Sequence, residues 1–317
     1  MKPRQPCPVC EGLAIGGSSL KHSYKVSLRA FAVSLAFLVA LASPHRSFAS
    51  GDGTVRLRVA AGQFHLQPDL QANLQQINRY LNQAASLGVD LVVFPELGLT
   101  GYPPQDIDSL YYVDQSKTEN ALAELRRRAR ELGVALAVGA AWRDEERVWR
   151  NRAFFIDERG EILATYDKIQ QTSHERKFFV DGECLSTFVW RGLRLGMLIC
   201  MDMRYPELWR LLRKDGAQLV LHLAAAYGSS IWKIPVLEGT LRARAASNGY
   251  FIVSCNNAGP APMMLSAIYS PRGLLIRQAN YEVDELIWAD IEVDEPRGFV
   301  DFHDDVYRLE KTCRDER

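Results

Sequence analysis

The run Leu195-Gly196-Met197-Leu198-Ile199-Cys200 contains no charged or amide side chain, and Met201-Asp202-Met203-Arg204-Tyr205-Pro206-Glu207 follows it at once. A short continuous apolar run bounded this way reads as a strand buried on both faces. Pro206 suits the first turn of a helix. A thiol at the tip of such a strand, just before a helix, sits where nucleophiles are presented. Backbone N–H groups there point outward and are expected to favour the thiolate. A buried cysteine is more often plain core, so Cys200 gains meaning only from its company.

Two other segments supply that company. Leu91-Val92-Val93-Phe94-Pro95-Glu96 is a second apolar run, ending on a carboxylate and turning at Gly98-Leu99-Thr100-Gly101-Tyr102-Pro103-Pro104. Tyr166-Asp167-Lys168-Ile169 follows the hairpin-like stretch from Phe154 to Ala164. A lone glutamate at a strand end is usually a cap or a surface charge, and a lone lysine a solvated one. A carboxylate base, a cation and a thiol together form a set that acyl-transfer chemistry can use.

These segments resemble the Glu, Lys and Cys signatures of the nitrilase superfamily of carbon–nitrogen hydrolases. The first match is Phe94-Pro95-Glu96 with Thr100-Gly101-Tyr102. The second is Tyr166-Asp167-Lys168 with Glu175, Phe178-Phe179 and Gly182-Glu183. The third is Gly196 to Asp202 with Arg204-Tyr205-Pro206-Glu207, and a looser fourth is Arg242-Ala243-Arg244-Ala245 with Asn248-Gly249-Tyr250 and Asn256. The match spans roughly Val55 to Glu292.

The rest of the chain alternates between strand and helix character. Val55, Leu57 and Val59 alternate with Arg56 and Arg58, giving a strand. Leu70, Leu74, Ile77 and Leu81 recur at helical spacing, with Gly88 as the stop, and Leu122, Leu125, Ala129 and Leu132 do the same ahead of Gly133. Strands are expected at Val134 to Ala140, Ala153 to Ile156, Ala217 to Leu223 and Phe251 to Asn256, and near Ile268, Leu275 and Ile287. Helices are expected over Pro206 to Lys214 and Lys233 to Asn248. No low-complexity linker divides residues 51–317, so they read as one α/β domain. The resemblance sharpens this to a four-layer α-β-β-α sandwich.

That resemblance also implies roles. Glu96 acts as base on Cys200, and the thiolate attacks an amide carbonyl. Lys168 and the backbone N–H of Met201 stabilise the oxyanion. Glu175 orients the lysine and substrate, and no metal or organic cofactor is required. Tyr102, Ala224 and Tyr227 are the candidate substrate contacts. The small residues Ala224 to Ala226 stand where relatives carry an Asn, Pro and Trp cluster, leaving room for a bulkier acyl group. The expected activity is hydrolysis of a small linear amide or N-carbamoyl amine with release of ammonia. Two readings stay open beside it: an acyltransferase that passes the thioester to an amine, and a catalytically silent binding relative. A homodimer or higher homo-oligomer is implied, with the face of Leu208, Trp209, Leu211 and Leu212 as one candidate contact. His222, in Leu219-Val220-Leu221-His222-Leu223, reads as a core or site-lining residue and a weaker candidate base than Glu96.

Charge excludes one class of partner. Lys+Arg and Asp+Glu are both 38, so net charge is zero, and no basic patch points to nucleic acid. Residues 1–50 differ from the rest. Lys2, Arg4, Lys21, Lys25 and Arg29 face one acid, Glu11; Ala30 to Ala42 is nearly all apolar; Ser47-Phe48-Ala49 follows with small residues at cleavage-site spacing. This is the pattern of an export signal, read ahead of a single anchor helix or a misassigned start on a cytosolic enzyme. Cys7 and Cys10 form one C-x-x-C, a poor zinc signal without a second pair.

Overall fold

The computed structural model describes residues 54–228 and 230–293; the leader, Cys7, Cys10 and Cys313 lie outside them. Strand β1 (Val55–Gln63) is followed by helix α1 (Leu70–Ser86), β2 (Leu91–Val93), α2 (Gln115–Leu132) and β3 (Ala135–Arg143). The hairpin β4 (Trp149–Ile156) and β5 (Ile162–Asp167) comes next, then β6 (Thr187–Trp190), β7 (Leu193–Ile199), α3 (Pro206–Lys214), β8 (Leu219–Leu223) and α4 (Lys233–Asn248). Strands β9 (Phe251–Cys255), β10 (Ala267–Tyr269), β11 (Leu275–Gln278) and β12 (Glu285–Val293) complete the described chain.

Twelve strands form two six-stranded sheets, ordered β12-β1-β2-β3-β4-β5 and β11-β10-β9-β8-β7-β6. In each sheet the central three strands run parallel and the outer ones antiparallel. The pleat divides each central strand between two cores. Leu57, Val59, Leu91 and Val93 pack with Leu195, Leu221 and Val253 of the facing sheet. Ala60, Val92, Leu136 and Val138 face the other way, onto Ile77 and Leu81 of α1 and Leu122 and Leu125 of α2. Leu208, Trp209 and Leu212 of α3 and Leu237 and Leu241 of α4 cover the second sheet. The layers are therefore α-β-β-α, as expected. Burial on both faces is why β2 and β7 read as unbroken apolar runs.

Local signals set the helix ends. Asp69 caps α1 and Asp114 caps α2, each carboxylate accepting a backbone N–H from the first turn. Gly133 and Gly249 close α2 and α4 in the left-handed conformation, at φ 68° and 66°. The predicted helices over Pro206–Lys214 and Lys233–Asn248 match α3 and α4. Three boundaries differ. β2 stops at Val93, because Phe94 to Gly98 turn out of the sheet; β4 begins four residues earlier than expected, at Trp149; and β6 was not anticipated. Within the candidate dimer face, Leu208, Trp209 and Leu212 are buried in this fold and only Leu211 is exposed, so three of those four side chains are core.

The sheets bring three strand ends together. Glu96 lies just past β2, Lys168 just past β5 and Cys200 just past β7. The Glu96 turn is pressed onto β3 at Gly139, where an added Cβ would meet the Leu97 backbone nitrogen at 2.5 Å and the Glu96 Cα at 3.2 Å. Only a residue without a side chain allows that approach. Gly139→Ala should therefore destabilise the fold by about 1–3 kcal/mol and impair any activity that needs Glu96. Urea denaturation of the two proteins checks this, and unchanged stability would contradict it.

Candidate active site

The Lys168 ammonium is fully buried, and its Nζ donates to Glu96 Oε1 at 2.6 Å and to Glu175 Oε1 at 2.6 Å. Both carboxylates are themselves without solvent exposure. A charge buried this deeply needs opposite charge and hydrogen bonds on the spot, and these two acceptors supply them. Glu175 is held by a reciprocal pair with Thr172: its Oε2 accepts the Thr172 N–H at 2.7 Å, and its own N–H donates to Thr172 Oγ1 at 3.1 Å. This is the capping-box arrangement, made by Thr172-Ser173-His174-Glu175 ahead of a short 3-10 turn, Glu175–Lys177.

Glu96 has two further donors. Asn151 Nδ2 reaches Oε1 at 2.7 Å, and the Ala225 N–H reaches Oε2 at 2.9 Å. Two carboxylates around one lysine do not behave alike. Burial pushes Glu96 up to about 7, and the attraction of Lys168 only partly offsets it while Glu175 adds repulsion. Burial acts on Glu175 as well, but Lys168 and the Thr172 N–H outweigh it and bring its carboxyl down to about 2. Lys168 stays charged: against burial, the two carboxylates raise it above its ordinary value. Glu175 is thus the fixed counter-ion and Glu96 the group poised near neutrality, the division of roles that acid–base chemistry needs.

Cys200 has φ 43°, an unusual conformation for a residue with a side chain. It opens a short 3-10 turn, Cys200–Arg204. Burial, then the nearby Glu96 and Glu175, push its thiol well above the usual range, with Lys168 and the Ala225 N–H opposing them. This corrects the expectation that a helix N-terminus lowers it. The turn is a single 3-10 segment, α3 starts only at Pro206, and its dipole is outweighed. The resting group is a thiol. Met201 follows directly, in the first turn, where N–H groups have no acceptor within the helix.

Three buried polar residues hold the turns around the site, Asp202 and His222 at Cys200 and Asn256 at Ala226. Asp202 Oδ2 accepts the Ile199 N–H at 2.9 Å and the Tyr166 hydroxyl at 2.8 Å, and Oδ1 accepts the Gln170 N–H at 2.9 Å. It ties the end of β7 to both ends of the Lys168 segment. His222 meets the Cys200 carbonyl through Nε2 at 3.2 Å and Ser254 Oγ through Nδ1 at 2.9 Å. Burial lowers its imidazole to about 4, so it is neutral and engaged with a carbonyl rather than set as a base. Asn256 clamps Ala226 with both amide groups, at 2.7 and 3.1 Å.

Of the candidate contacts, Tyr102 and Tyr227 meet edge to face with ring centroids 5.8 Å apart. Both phenols lie within electrostatic reach of Glu96 and Cys200. Tyr227 donates to Asp106 Oδ2 at 3.1 Å, joining the loops on either side. Ala224 is fully buried, and its backbone links the Glu96 N–H to the Cys255 carbonyl. The residue of that segment that faces the glutamate is its neighbour Ala225, through its N–H. Sequence reading passed over Asn151, and it took Ala225 only as one of three small residues and not as a donor to Glu96. An amide in a strand is disfavoured, and that was the available signal for Asn151; a backbone N–H leaves none. Among the described residues no group of three His, Cys, Asp or Glu side chains is placed to hold a metal, and no helix is long and apolar enough to cross a membrane. A cleft of about 200 Å³, lined by residues including Asp69, Thr100, Tyr112 and Lys117, is not lined by Glu96, Lys168 or Cys200, so it does not mark the chemistry.

The carbon–nitrogen hydrolase family model matches residues 58–298. The chain belongs to the carbon–nitrogen hydrolase family. It is 30% identical over 258 residues to a glutamine-dependent NAD(+) synthetase of Thermotoga maritima, covering 76% of this chain but 43% of that protein. The chain thus spans less than half of that relative. It is 32% identical over 185 residues to an (R)-stereoselective amidase of Pseudomonas sp., covering 58% of this chain and 65% of that one. A solved mutant of the amidase from Nesterenkonia sp. AN1 superposes with a TM-score of 0.69 at 29% identity, covering 80% of this chain and 96% of that chain. That mutant carries the acetamide moiety of fluoroacetamide covalently at its active site cysteine. Family and fold together establish the enzyme class expected from the sequence, a cysteine-dependent amidohydrolase.

Asp202→Asn should cost about 1–3 kcal/mol, because an amide must point a donor at one of the three donors the carboxylate now accepts. Thermal unfolding checks it; an unchanged midpoint would show that the carboxylate does not hold the turn.

Proposed function

We propose that this enzyme hydrolyses the C–N bond of a small linear amide or N-carbamoyl amine through a thioester on Cys200, releasing ammonia. The observation that carries the reading is the buried Lys168 ammonium, held at 2.6 Å by both Glu96 and Glu175 beside the strand end that carries Cys200. A cation, a carboxylate poised near neutrality and a thiol are thereby gathered in one buried cluster.

The reaction runs from the residue types. Glu96 takes the thiol proton as the sulfur attacks the amide carbon, and the carbonyl π pair moves to oxygen. Lys168 and the Met201 N–H face the developing oxyanion; one such donor is worth roughly 3 kcal/mol in a preorganised site. Glu96 then returns its proton to the leaving nitrogen as the C–N bond breaks, and ammonia departs. Water, activated by Glu96, attacks the thioester, and the acid leaves with Cys200 reprotonated. Glu175 keeps Lys168 charged throughout. The crossed rings of Tyr102 and Tyr227, with Asp106 behind them, favour small unbranched acyl groups. The acetamide adduct of the Nesterenkonia amidase supports that size class.

Two outcomes are expected. Purified enzyme should release ammonia from short aliphatic amides or N-carbamoyl amines, and Cys200→Ala should lose at least about a thousandfold of that rate; activity retained in the variant would sink the reading. Since Glu96 must be ionised to accept the proton, kcat/KM should fall as pH drops through about 7. A profile flat from pH 5 to 8 would contradict the assignment of Glu96 as base.

A further inference from the structure

Asn151 stands at the centre of this site without a role in the reaction as written. It lies in β4, where it pairs with Ala141 of β3, and its carbonyl accepts the Lys168 N–H at 2.9 Å. The side chain is fully buried. Its Nδ2 reaches Glu96 Oε1 at 2.7 Å and Glu175 Oε1 at 3.5 Å. Both neighbours on that side are carboxylates, so the amide nitrogen and not the oxygen faces them. Its Oδ1 is buried with no partner among the described residues. The amide is held only at the end that meets the carboxylates.

The consequence lies in the lone pairs of Glu96. Each carboxylate oxygen offers two acceptor positions. Oε1 receives Lys168 Nζ and Asn151 Nδ2 and is full. Oε2 receives the Ala225 N–H alone, leaving one position open. We propose that Asn151 is a positioning residue which, by filling Oε1 together with Lys168, reserves Oε2 of Glu96 for the thiol proton. The S–H bond then breaks and the O–H bond forms at Oε2, the oxygen with the open acceptor position. Oε1 keeps both its donors in the protonated and ionised states, and the Ala225 N–H keeps its place on Oε2. Without the amide, Oε1 has a free position turned to Lys168, and the proton has two sites, one of them unproductive.

This rests on the proposed role of Glu96 as base, so the test separates the two. The groups facing Glu96 are Lys168 beyond β5, Glu175 in its 3-10 turn, Cys200 beyond β7, and the phenols of Tyr102 and Tyr227. The Asn151 variants leave all of these in place. The rate of Cys200 alkylation by iodoacetamide is measured against pH in wild type, Asn151→Leu and Asn151→Asp, beside kcat and KM on the best amide. A lost donor to an ionised carboxylate makes it a stronger proton binder. The acid limb of alkylation should therefore rise by about one pH unit in Asn151→Leu and further in Asn151→Asp, which adds negative charge. Hydrolysis should fall about 10- to 100-fold, in kcat rather than KM. A limb that stays put in the folded variants, or a loss borne by KM, would overturn the proposal. If wild type hydrolyses no amide, the functional reading fails while alkylation still reports on Asn151. If Asn151→Leu does not fold, Asn151→Ser, too short to reach Glu96, takes its place, and failure of all three to fold assigns Asn151 a purely structural part.

Discussion

An ammonium group sealed between two carboxylates is the constraint on which this molecule depends. Removing three charged groups from water carries a desolvation cost of several kcal/mol each, which is offset by opposite charge and hydrogen bonds at short range. Lys168 has both at 2.6 Å on each side. The arrangement cannot satisfy both carboxylates equally, and the inequality is the useful product. Glu175, where Lys168 and the Thr172 N–H outweigh burial, stays ionised. Glu96 is left near neutrality beside a thiol that burial keeps protonated. In the proposed reaction a base that binds a proton moderately and a thiol that must lose one are complementary halves of one step.

Much of the surrounding fold places that cluster. The glutamate, the lysine and the cysteine come from three strand ends in two sheets, and no pair of them is close in sequence. Their relative positions are therefore set by sheet packing and by polar cross-ties between turns. Asp202 binds the nucleophile turn to the lysine segment, Asn256 fixes the segment that carries Ala225, and Arg152 grips Asp167 next to the lysine at 2.6 and 2.7 Å. Close approaches at glycine do the same work sterically. A Cβ at Gly182 would lie 2.1 Å from the Asp167 carbonyl, so the chain leaving Lys168 can fold back only there.

The fold was legible in the sequence where periodicity and capping residues agreed. Helices α3 and α4 and the buried strands β7, β8 and β9 fall close to where apolar patterning puts them. The misses have physical causes. Strand β4 was clipped because Trp149 to Arg152 are mixed in character, although their partners in β3 make them strand. Glu96, Lys168, Cys200 and Glu175 were picked out by motif resemblance, and the structure brings Glu96, Lys168 and Glu175 into direct contact. The thiol's raised proton affinity was not legible, because it arises from carboxylates distant in sequence. Asn151 and the Ala225 N–H were missed for a related reason: their meaning comes only from which carboxylate oxygen they touch. The expected leader, residues 1–50, lies outside the described residues, and its reading rests on sequence alone.

The central claim is the unequal protonation of two glutamates that share one lysine. Infrared titration of enzyme labelled with ¹³C at its glutamate carboxyls reads it directly. The account predicts one buried carboxyl that gains its proton near pH 7 and is absent from Glu96→Gln, with no second buried glutamate protonating until about pH 2. A titration in which no glutamate changes between pH 6 and 8, or in which the neutral-range signal survives in Glu96→Gln, would contradict it.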